Sequence, residues 1–248
     1  MYKLLFTFLA LFLLTTLHAQ SDDVYEDQIY SKPRLMIGLK GSVGIPYGEF
    51  WDKMEQVGFG FGGEVHYRVQ KDLPIYAGIS MTGFIFDLQS QNYYENINGF
   101  SILLREQTRT NIFMGHLQLR LKPDVNFFLE PYIDGLFGFK NLYNRTTVRD
   151  VEIDETDIIN SSGDWASSFG GAVGVQIPIF RDGASRGYID LRMVYLKGTS
   201  ADYLVRREEP NQNYANPIDA FETKNSATDM LIPQIGFTVL IGKNWTND

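Results

Sequence analysis

Apolar and polar residues alternate along much of the chain. In the stretch GFGFGGEVHYRVQ, residues 58–70, aromatic residues and valine take the odd positions, apart from Gly63, and glycine or polar residues take the even ones. Successive side chains of a β-strand point to opposite faces. This period of two therefore predicts a strand with one apolar and one polar face.

Eight segments share the alternation, and each predicts one strand. They cover residues 34–45, 58–70, 75–86, 111–122, 127–140, 168–179, 188–196 and 231–245. The connections alternate in length: the short ones contain KDLP, PDVN and RDGASRG, and the long ones cover 46–57, 88–107, 144–165 and 199–228. Short turns at one end and long loops at the other predict an all-β fold, an eight-stranded antiparallel up-and-down β-barrel.

Two local features refine this prediction. In the first long loop, GEFWDKMEQ predicts a short helical turn, with Phe50, Trp51 and Met54 folded back on the barrel rim. A closed barrel has no edge strand that would tolerate proline. Pro131, Pro178 and Pro233 are therefore expected at bulges or strand starts.

The alternation fits either a membrane barrel or a soluble exported barrel with its apolar face inward. The small size of many residues on the polar face favours the membrane barrel. That face carries many glycines, and it fits inside an eight-stranded lumen, which has room only for side chains that fill it. Aromatic residues of the apolar face also gather towards the strand ends, as in the aromatic girdles of membrane barrels. They are Phe59, Phe139, Phe169 and Tyr195 near the long loops, and Tyr67, Phe127 and Trp245 near the turns or the terminus. We therefore expect a transmembrane barrel with short periplasmic turns and long extracellular loops.

The beginning of the chain predicts export. Lys3 precedes an apolar run from Leu4 to Leu17, and the sequence HAQ follows as a cleavage region with a small residue. Together they indicate a cleaved signal peptide at residues 1–20. A retained membrane helix is the alternative, but the apolar run is shorter than a span requires. Residues 21–33 are then a short periplasmic segment and residues 34–248 the barrel domain, which places the protein in the bacterial outer membrane.

The run GIPYGEFWDKMEQVGFGFGGEVHY joins a first strand, a Pro-x-Gly-x-Phe motif and a second strand rich in Gly and Phe. It resembles the small outer-membrane β-barrel domain proteins of Bacteroidota, including the PorT-like group, and the HAQ exit is similar to theirs. The resemblance implies this fold over the whole mature chain and specifies no activity.

Charged residues of both signs fall on the polar, inward face. The hairpin around PDVN is expected to place Arg120 opposite Glu130. Ion pairs between such residues predict a neutralised plug of the lumen, with a narrow conducting pore as the alternative. The predicted lumenal network contains Lys40, Glu64, His66, Arg68, Arg120, Glu130, Asp134, Asp190 and Arg192.

Candidate chemistry is sparse. Two histidines follow the predicted signal peptide, His66 and His116. Both lie at even-numbered positions, on the face predicted to point into the lumen, so they fit the network better than a lipid A-modifying or proteolytic site. The acidic loop from Asp150 to Asp164 matches no EF-hand spacing and is expected to be solvated rather than to bind calcium. We expect no cofactor, no metal and no enzymatic activity.

The expected partners follow from this location. They are outer-membrane lipid including lipopolysaccharide, and the barrel-insertion machinery, which recognises terminal aromatic residues such as Phe237 and Trp245. The formal charge of −8 argues against nucleic acid. The favoured role is structural or interactive, through the extracellular loops. The alternative is an accessory subunit of a secretion or barrel-assembly complex, which would bring a protein partner.

Overall fold

A computed structural model describes residues 34–70, 73–97, 100–123, 128–150, 156–182, 185–206 and 221–241. The predicted signal peptide, the segment 21–33, Phe127 and Trp245 lie outside these residues. One helix and ten strands are described: β1 (Leu35–Pro46), α1 (Glu49–Met54), β2 (Gly58–Arg68), β3 (Ile75–Ile97), β4 (Phe100–Leu121), β5 (Glu130–Asp150), β6 (Thr156–Asp182), β7 (Ser185–Gly198), β8 (Ser200–Arg206), β9 (Phe221–Ala227) and β10 (Met230–Ile241).

Eight of these strands close into a barrel in the order β1-β10-β7-β6-β5-β4-β3-β2. Each strand is antiparallel to its neighbours, and β1 pairs with both β2 and β10, which closes the ring. Chain neighbours are also neighbours in space, apart from the β8–β9 hairpin inserted between β7 and β10. The predicted up-and-down barrel is therefore confirmed. No helix among the described residues is long and apolar enough to cross a membrane.

The apolar face of the barrel points outward. Leu39 is 56% exposed, Phe59 68% and Leu117 63%, whereas Glu64 and Arg120 of the polar face are buried inside. A belt of exposed aliphatic and aromatic residues on every side is costly in water and favourable in lipid. Strands of 11 or 12 residues, such as β2 and β1, also match the length that a tilted span needs. The barrel is thus a membrane-spanning one, and the soluble alternative, in which this apolar face would point inward, is wrong.

Four strands are much longer than predicted. Residues 88–107 and 144–165 were expected to be loops, but β3 runs to Ile97 and β4 starts at Phe100, while β5 runs to Asp150 and β6 starts at Thr156. Cross-strand pairing persists to Ile97↔Phe100 and Arg149↔Thr156. In the sequence of these extensions polar residues occur at both odd and even positions, so the alternation that marks the membrane belt is absent from them. The barrel wall therefore rises well beyond the belt on one side.

The other two long connections also contain regular structure. The predicted helical turn is confirmed as α1, with Phe50 and Met54 buried, although Trp51 remains 41% exposed instead of folding back. The predicted loop at 199–228 contains the two-stranded sheet β8–β9.

The three prolines behave differently from one another. Pro131 is the second residue of β5, and Pro178 precedes a register shift on β6, as expected of a strand start and a bulge. Pro233 lies within β10 at neither kind of site. It falls where the pairing of β1 with β10 is interrupted, between Ser42↔Gln234 and Ile45↔Leu231, with the register unchanged. Proline has no N–H to donate, and a local gap in the ladder accommodates it.

Candidate functional site: the lumen and the loop-end rim

The middle of the lumen is filled by a balanced group of charges, here called the charge network. Glu64 lies at its centre and contacts Lys40 at 2.8 Å, Arg120 at 3.0 Å and Arg192 at 3.1 Å. Asp134 accepts two hydrogen bonds from Arg120, at 2.8 and 2.9 Å, and contacts Arg192 at 2.6 Å. These interactions join residues of β1, β2, β4, β5 and β7 across the barrel.

Asp190 of β7 extends this group to β6 and β10. Its carboxylate contacts Lys40 at 3.3 Å and accepts hydrogen bonds from Tyr132 at 2.6 Å, Gln176 at 2.8 Å and Thr238 at 3.0 Å. The guanidinium of Arg120 also lies over the ring of Tyr132, 4.0 Å from its centroid. The network thus contains three cations (Lys40, Arg120, Arg192) and three anions (Glu64, Asp134, Asp190), all buried. Opposite charges in equal number offset the cost of removing each one from water.

A second group of lumenal contacts lies near the short turns. Lys122 contacts Glu130 at 2.8 Å, donates to Gln176 at 2.5 Å and lies 4.2 Å from the ring centroid of Tyr188. Arg68 donates to the backbone oxygen of Leu73 at 3.0 Å and lies over the ring of Tyr76.

The predicted pairing of Arg120 with Glu130 is wrong. Arg120 pairs with Asp134 across the β4–β5 hairpin, and Glu130 binds Lys122 instead. The connection from β4 to β5 runs from Lys122 to Leu129 and is longer than the PDVN turn that the prediction assumed. The partner of Arg120 therefore moves four residues along β5. Both Glu130 and Asp134 face the lumen, so the alternation of the strand alone does not distinguish which of them pairs with Arg120.

The loop-end half of the lumen holds a large apolar cluster beside the buried polar residues His116, Lys140 and Ser168, and this cluster was not predicted. Phe84, Ile112, Leu136 and Val194 are buried there together with residues of the first and fourth long connections. Those connections, α1 and the β8–β9 hairpin, are here called the cover. Phe50 of α1 packs edge-on against Tyr203 of β8, with ring centroids 5.1 Å apart.

Polar contacts attach the cover to the barrel. The backbone N–H of Thr199 donates to the oxygen of Ser167 at 2.9 Å, and Lys140 donates to the backbone oxygen of Thr228. Asp164 accepts backbone hydrogen bonds from Asp202 at 2.9 Å and Trp165 at 2.8 Å, which lower the pKa of its carboxyl group. The hairpin is therefore fixed at its base, above the loop-end half of the lumen.

Both histidines are buried in the lumen. His116 hydrogen-bonds to the hydroxyl of Ser168 at 3.0 Å, whereas neither ring nitrogen of His66 has a hydrogen-bond partner among the described residues. No carboxylate completes a triad at His116 among those residues, and no three acidic or histidine groups there are placed to hold a metal ion. The acidic loop residues 151–155 lie outside the described part of the chain.

Glycines make room for the large lumenal side chains. A Cβ at Gly174 would overlap the ring of Tyr132, which both donates to Asp190 and stacks on Arg120. In the loop-end half, a Cβ at Gly58 would reach the ring of Phe86 at 2.7 Å. The glycines of the polar face thus allow the interior to be filled by aromatic and charged residues.

All nine residues of the predicted lumenal network lie inside the barrel. Six form the charge network, Glu130 and Arg68 lie near the turns, and His66 lies among them without a hydrogen bond of its own to the described residues. Sequence reasoning left out Lys122, Lys140, Tyr132 and Gln176. Each lies at an even-numbered position, as the predicted residues do, and this alternation could have identified them. Phe237, the described member of the predicted insertion signal, is exposed on the outer face.

Aromatic residues surround the outer face near both ends. Near the loop end, Phe139 lies 5.1 Å from Trp165 and 6.3 Å from Phe113 between ring centroids. Near the turns, Phe180 lies 6.2 Å from Phe237. Aromatic side chains at two levels are typical of barrels that meet two membrane interfaces.

Comparison with known proteins assigns no family. No protein-family model matches the chain, and no curated protein matches it. The resemblance to Bacteroidota barrels and the PorT-like group therefore stays a prediction.

The solved structures to which the chain is similar include three bacterial proteins. Neisserial surface protein A is 11% identical with a TM-score of 0.40, and the match covers 84% of this chain and 97% of that one. A major outer membrane protein of Thermus thermophilus is 11% identical with a TM-score of 0.37, covering 82% and 98%. Ail of Yersinia pestis, solved with the heparin analogue sucrose octasulfate, is 12% identical with a TM-score of 0.32, covering 83% and 96%. Likeness of this degree assigns no function.

Proposed function

We propose that the protein is a non-enzymatic barrel of the bacterial outer membrane, with a plugged lumen and an interaction surface at its loop end. The charge network carries this proposal, because its ion pairs cross the lumen between strands that are not neighbours in the ring. The cover adds a second barrier of buried apolar side chains above it. An ion entering from either end would meet paired charges or an apolar layer, and both oppose permeation.

The histidines support a structural role over a catalytic one. His116 and Ser168 are buried beneath the cover, away from the lipid-facing wall where a lipid substrate would arrive. A hydrolase needs its nucleophile and base at a surface that the substrate reaches.

The working surface in this proposal is the raised wall of β3 to β6 together with the cover. Long pairing registers hold the raised wall as a continuous sheet outside the lipid belt. A protein partner, as in a secretion or barrel-assembly complex, would dock there. Cross-linking from this wall in intact cells, followed by identification of a stoichiometric partner, distinguishes the accessory-subunit role from that of a solitary barrel.

Planar-bilayer recording tests the plug. The purified protein is expected to insert without steady conductance steps at moderate voltage, under conditions in which a general porin conducts. Reproducible single-channel steps from the wild-type protein, absent from a mock-purified sample, would overturn the plugged lumen and favour a narrow pore.

Cysteine labelling tests the orientation, because the chain contains no cysteine of its own. Thr223→Cys on β9 is expected to react with a membrane-impermeant maleimide on intact cells, since this exposed position belongs to the cover. Gln70→Cys, exposed beside a short turn, is the matched control and should react only after the outer membrane is opened. The reverse pattern would show that the turns face outward.

A further inference from the structure

Arginines face each other on the outside of the raised wall. Arg109 of β4 and Arg145 of β5 are direct cross-strand partners, and both are exposed. Their chain neighbours Thr110 and Asn144 are buried in the lumen, so the two guanidinium groups belong to the outer face. Four residues farther out, the exposed Arg105 has Arg149 as its cross-strand partner. Two arginine pairs therefore follow one another along β4 and β5, about 13 Å apart at a strand rise of about 3.3 Å per residue.

The first pair lies just above the aromatic residues of the belt. On β5 the outward positions run from Phe139 through Tyr143 to Arg145, and on β4 they run from Phe113 to Arg109. Phe139, Tyr143 and Phe113 are exposed on the outer face, and Trp165 of β6 packs on Phe139. Aromatic side chains mark the level of lipid headgroups. The two arginines lie at the same height, one outward position beyond Tyr143 on β5 and two beyond Phe113 on β4, which puts the pair at the headgroup level.

We propose that Arg109 and Arg145 bind a phosphate of a phosphorylated outer-leaflet lipid, the lipid A portion of lipopolysaccharide, with Arg105 binding farther out on the same molecule. This rests on the proposed location and orientation of the barrel. The planar guanidinium group donates two parallel hydrogen bonds to phosphate oxygens. Two guanidinium groups at the same level of the wall can donate hydrogen bonds to one phosphate group.

A lipid fits this position better than a free anion. The acyl chains of a lipid bound here would lie against the aromatic and aliphatic belt directly below, which includes Phe113 and Phe139. The same molecule would thus gain apolar contact and charge neutralisation together. A free phosphate could use only the arginines.

Binding in detergent micelles tests the site on the full-length protein. The affinity for fluorescent lipid A is compared with that for the same lipid after removal of its phosphates, for the wild-type protein and for Arg109→Gln/Arg145→Gln. The control, Arg34→Gln/Lys197→Gln, removes two exposed cations located elsewhere: Arg34 lies at the turn end and Lys197 on the loop-end wall of β7. Heat-dependent gel migration verifies that every variant is folded.

The wild-type protein and the control are expected to bind the phosphorylated lipid about tenfold or more tightly than the dephosphorylated one, and the double variant should lose this preference. Equal binding of both lipids by the wild-type protein would overturn the proposal, as would an unchanged preference in the double variant. Displacement of the lipid by inorganic phosphate at a similar concentration would assign the site to free anions and also overturn it. Because binding in micelles depends on neither conductance nor orientation, its failure would be distinguishable from failure of the proposed function.

Discussion

The lumenal charges stabilise the barrel as a set. Glu64 contacts three cations and Asp134 contacts two, so each carboxylate offsets the burial of more than one positive charge. Removing one member of such a set leaves its partners buried with too few opposite charges, which costs more than the lost bond itself.

Asp134→Asn tests this dependence. The amide keeps the size of the side chain but leaves the buried charges of Arg120 and Arg192 with one anion fewer. We expect a loss of about 3–5 kcal/mol in the free energy of unfolding, measured by urea titration of the refolded protein in lipid vesicles. Glu55→Gln, at an exposed position after α1, is the control and should change it by less than about 0.5 kcal/mol. A variant as stable as the control would contradict a coupled network.

Gly174→Ala tests the packing beneath that network. The added methyl group overlaps the ring of Tyr132, so the ring has to move away from Asp190 and Arg120. Overpacking of this kind costs about 1–3 kcal/mol. Gly135→Ala provides a matched comparison, because a Cβ there meets no atom within 4 Å. If the two variants unfold at the same urea concentration, Tyr132 is not held tightly in the lumen.

At the scale of elements, the cover lies outside the hydrogen-bonded ring of the barrel and packs on apolar residues of its wall. α1 and β8–β9 lie in different long connections, and they meet through Phe50 and Tyr203. Lys53 strengthens this contact by donating to the backbone oxygen of Asn225 at 2.5 Å. Neither element belongs to the hydrogen-bonded ring, so the cover can loosen while the barrel remains closed.

Phe50→Ala is expected to loosen the cover selectively. Loss of the buried ring should raise amide hydrogen exchange by about tenfold or more in α1 and β8, while exchange in β4 and β5 stays slow. Trp51→Ala on the same helix removes a partly exposed ring and should change exchange much less. Equal acceleration throughout the barrel strands would mean that the cover and the wall unfold together.

For the whole molecule, the outward apolar face fixes the environment in which the barrel is stable. Leu39→Arg places a charge in the middle of β1 on the lipid side and is expected to cost about 2–4 kcal/mol in vesicles. Val69→Arg, also outward but just beyond the end of β2, should cost about 1 kcal/mol or less, because its side chain reaches the interface. Similar unfolding midpoints for the two variants would contradict the placement of the belt.

Much of this architecture could be predicted from the sequence. The alternation from Leu35 to Ile241 gave the number of barrel strands, and the lengths of the connections gave their order. Parity placed Glu64 and Arg120 in the lumen and Leu39 on the wall. The alternation predicts the direction of each side chain because a residue that faces lipid must be apolar, whereas its neighbour along the strand points inward and can be polar.

The long extensions of β3 to β6 could not be predicted in this way. Outside the membrane, both faces of a strand meet water, so the sequence from 88 to 107 carries no alternation that would mark it as strand. The contacts within the cover could not be predicted either. Phe50 was expected to fold back on the barrel rim, but its partner there was not predicted. Phe50 contacts Tyr203, 153 positions farther along the chain (203 − 50), and this contact depends on the closure of the barrel.

By itself the sequence determined which side chains face lipid and which face the lumen, because that choice depends on a period of two within each strand. Only the tertiary structure decided which charges meet. A shift of two or four residues between neighbouring strands leaves every side chain on its face, yet it exchanges Glu130 for Asp134 as the partner of Arg120. Strand register is set by turn length and by packing across the lumen, and these depend on all eight strands together.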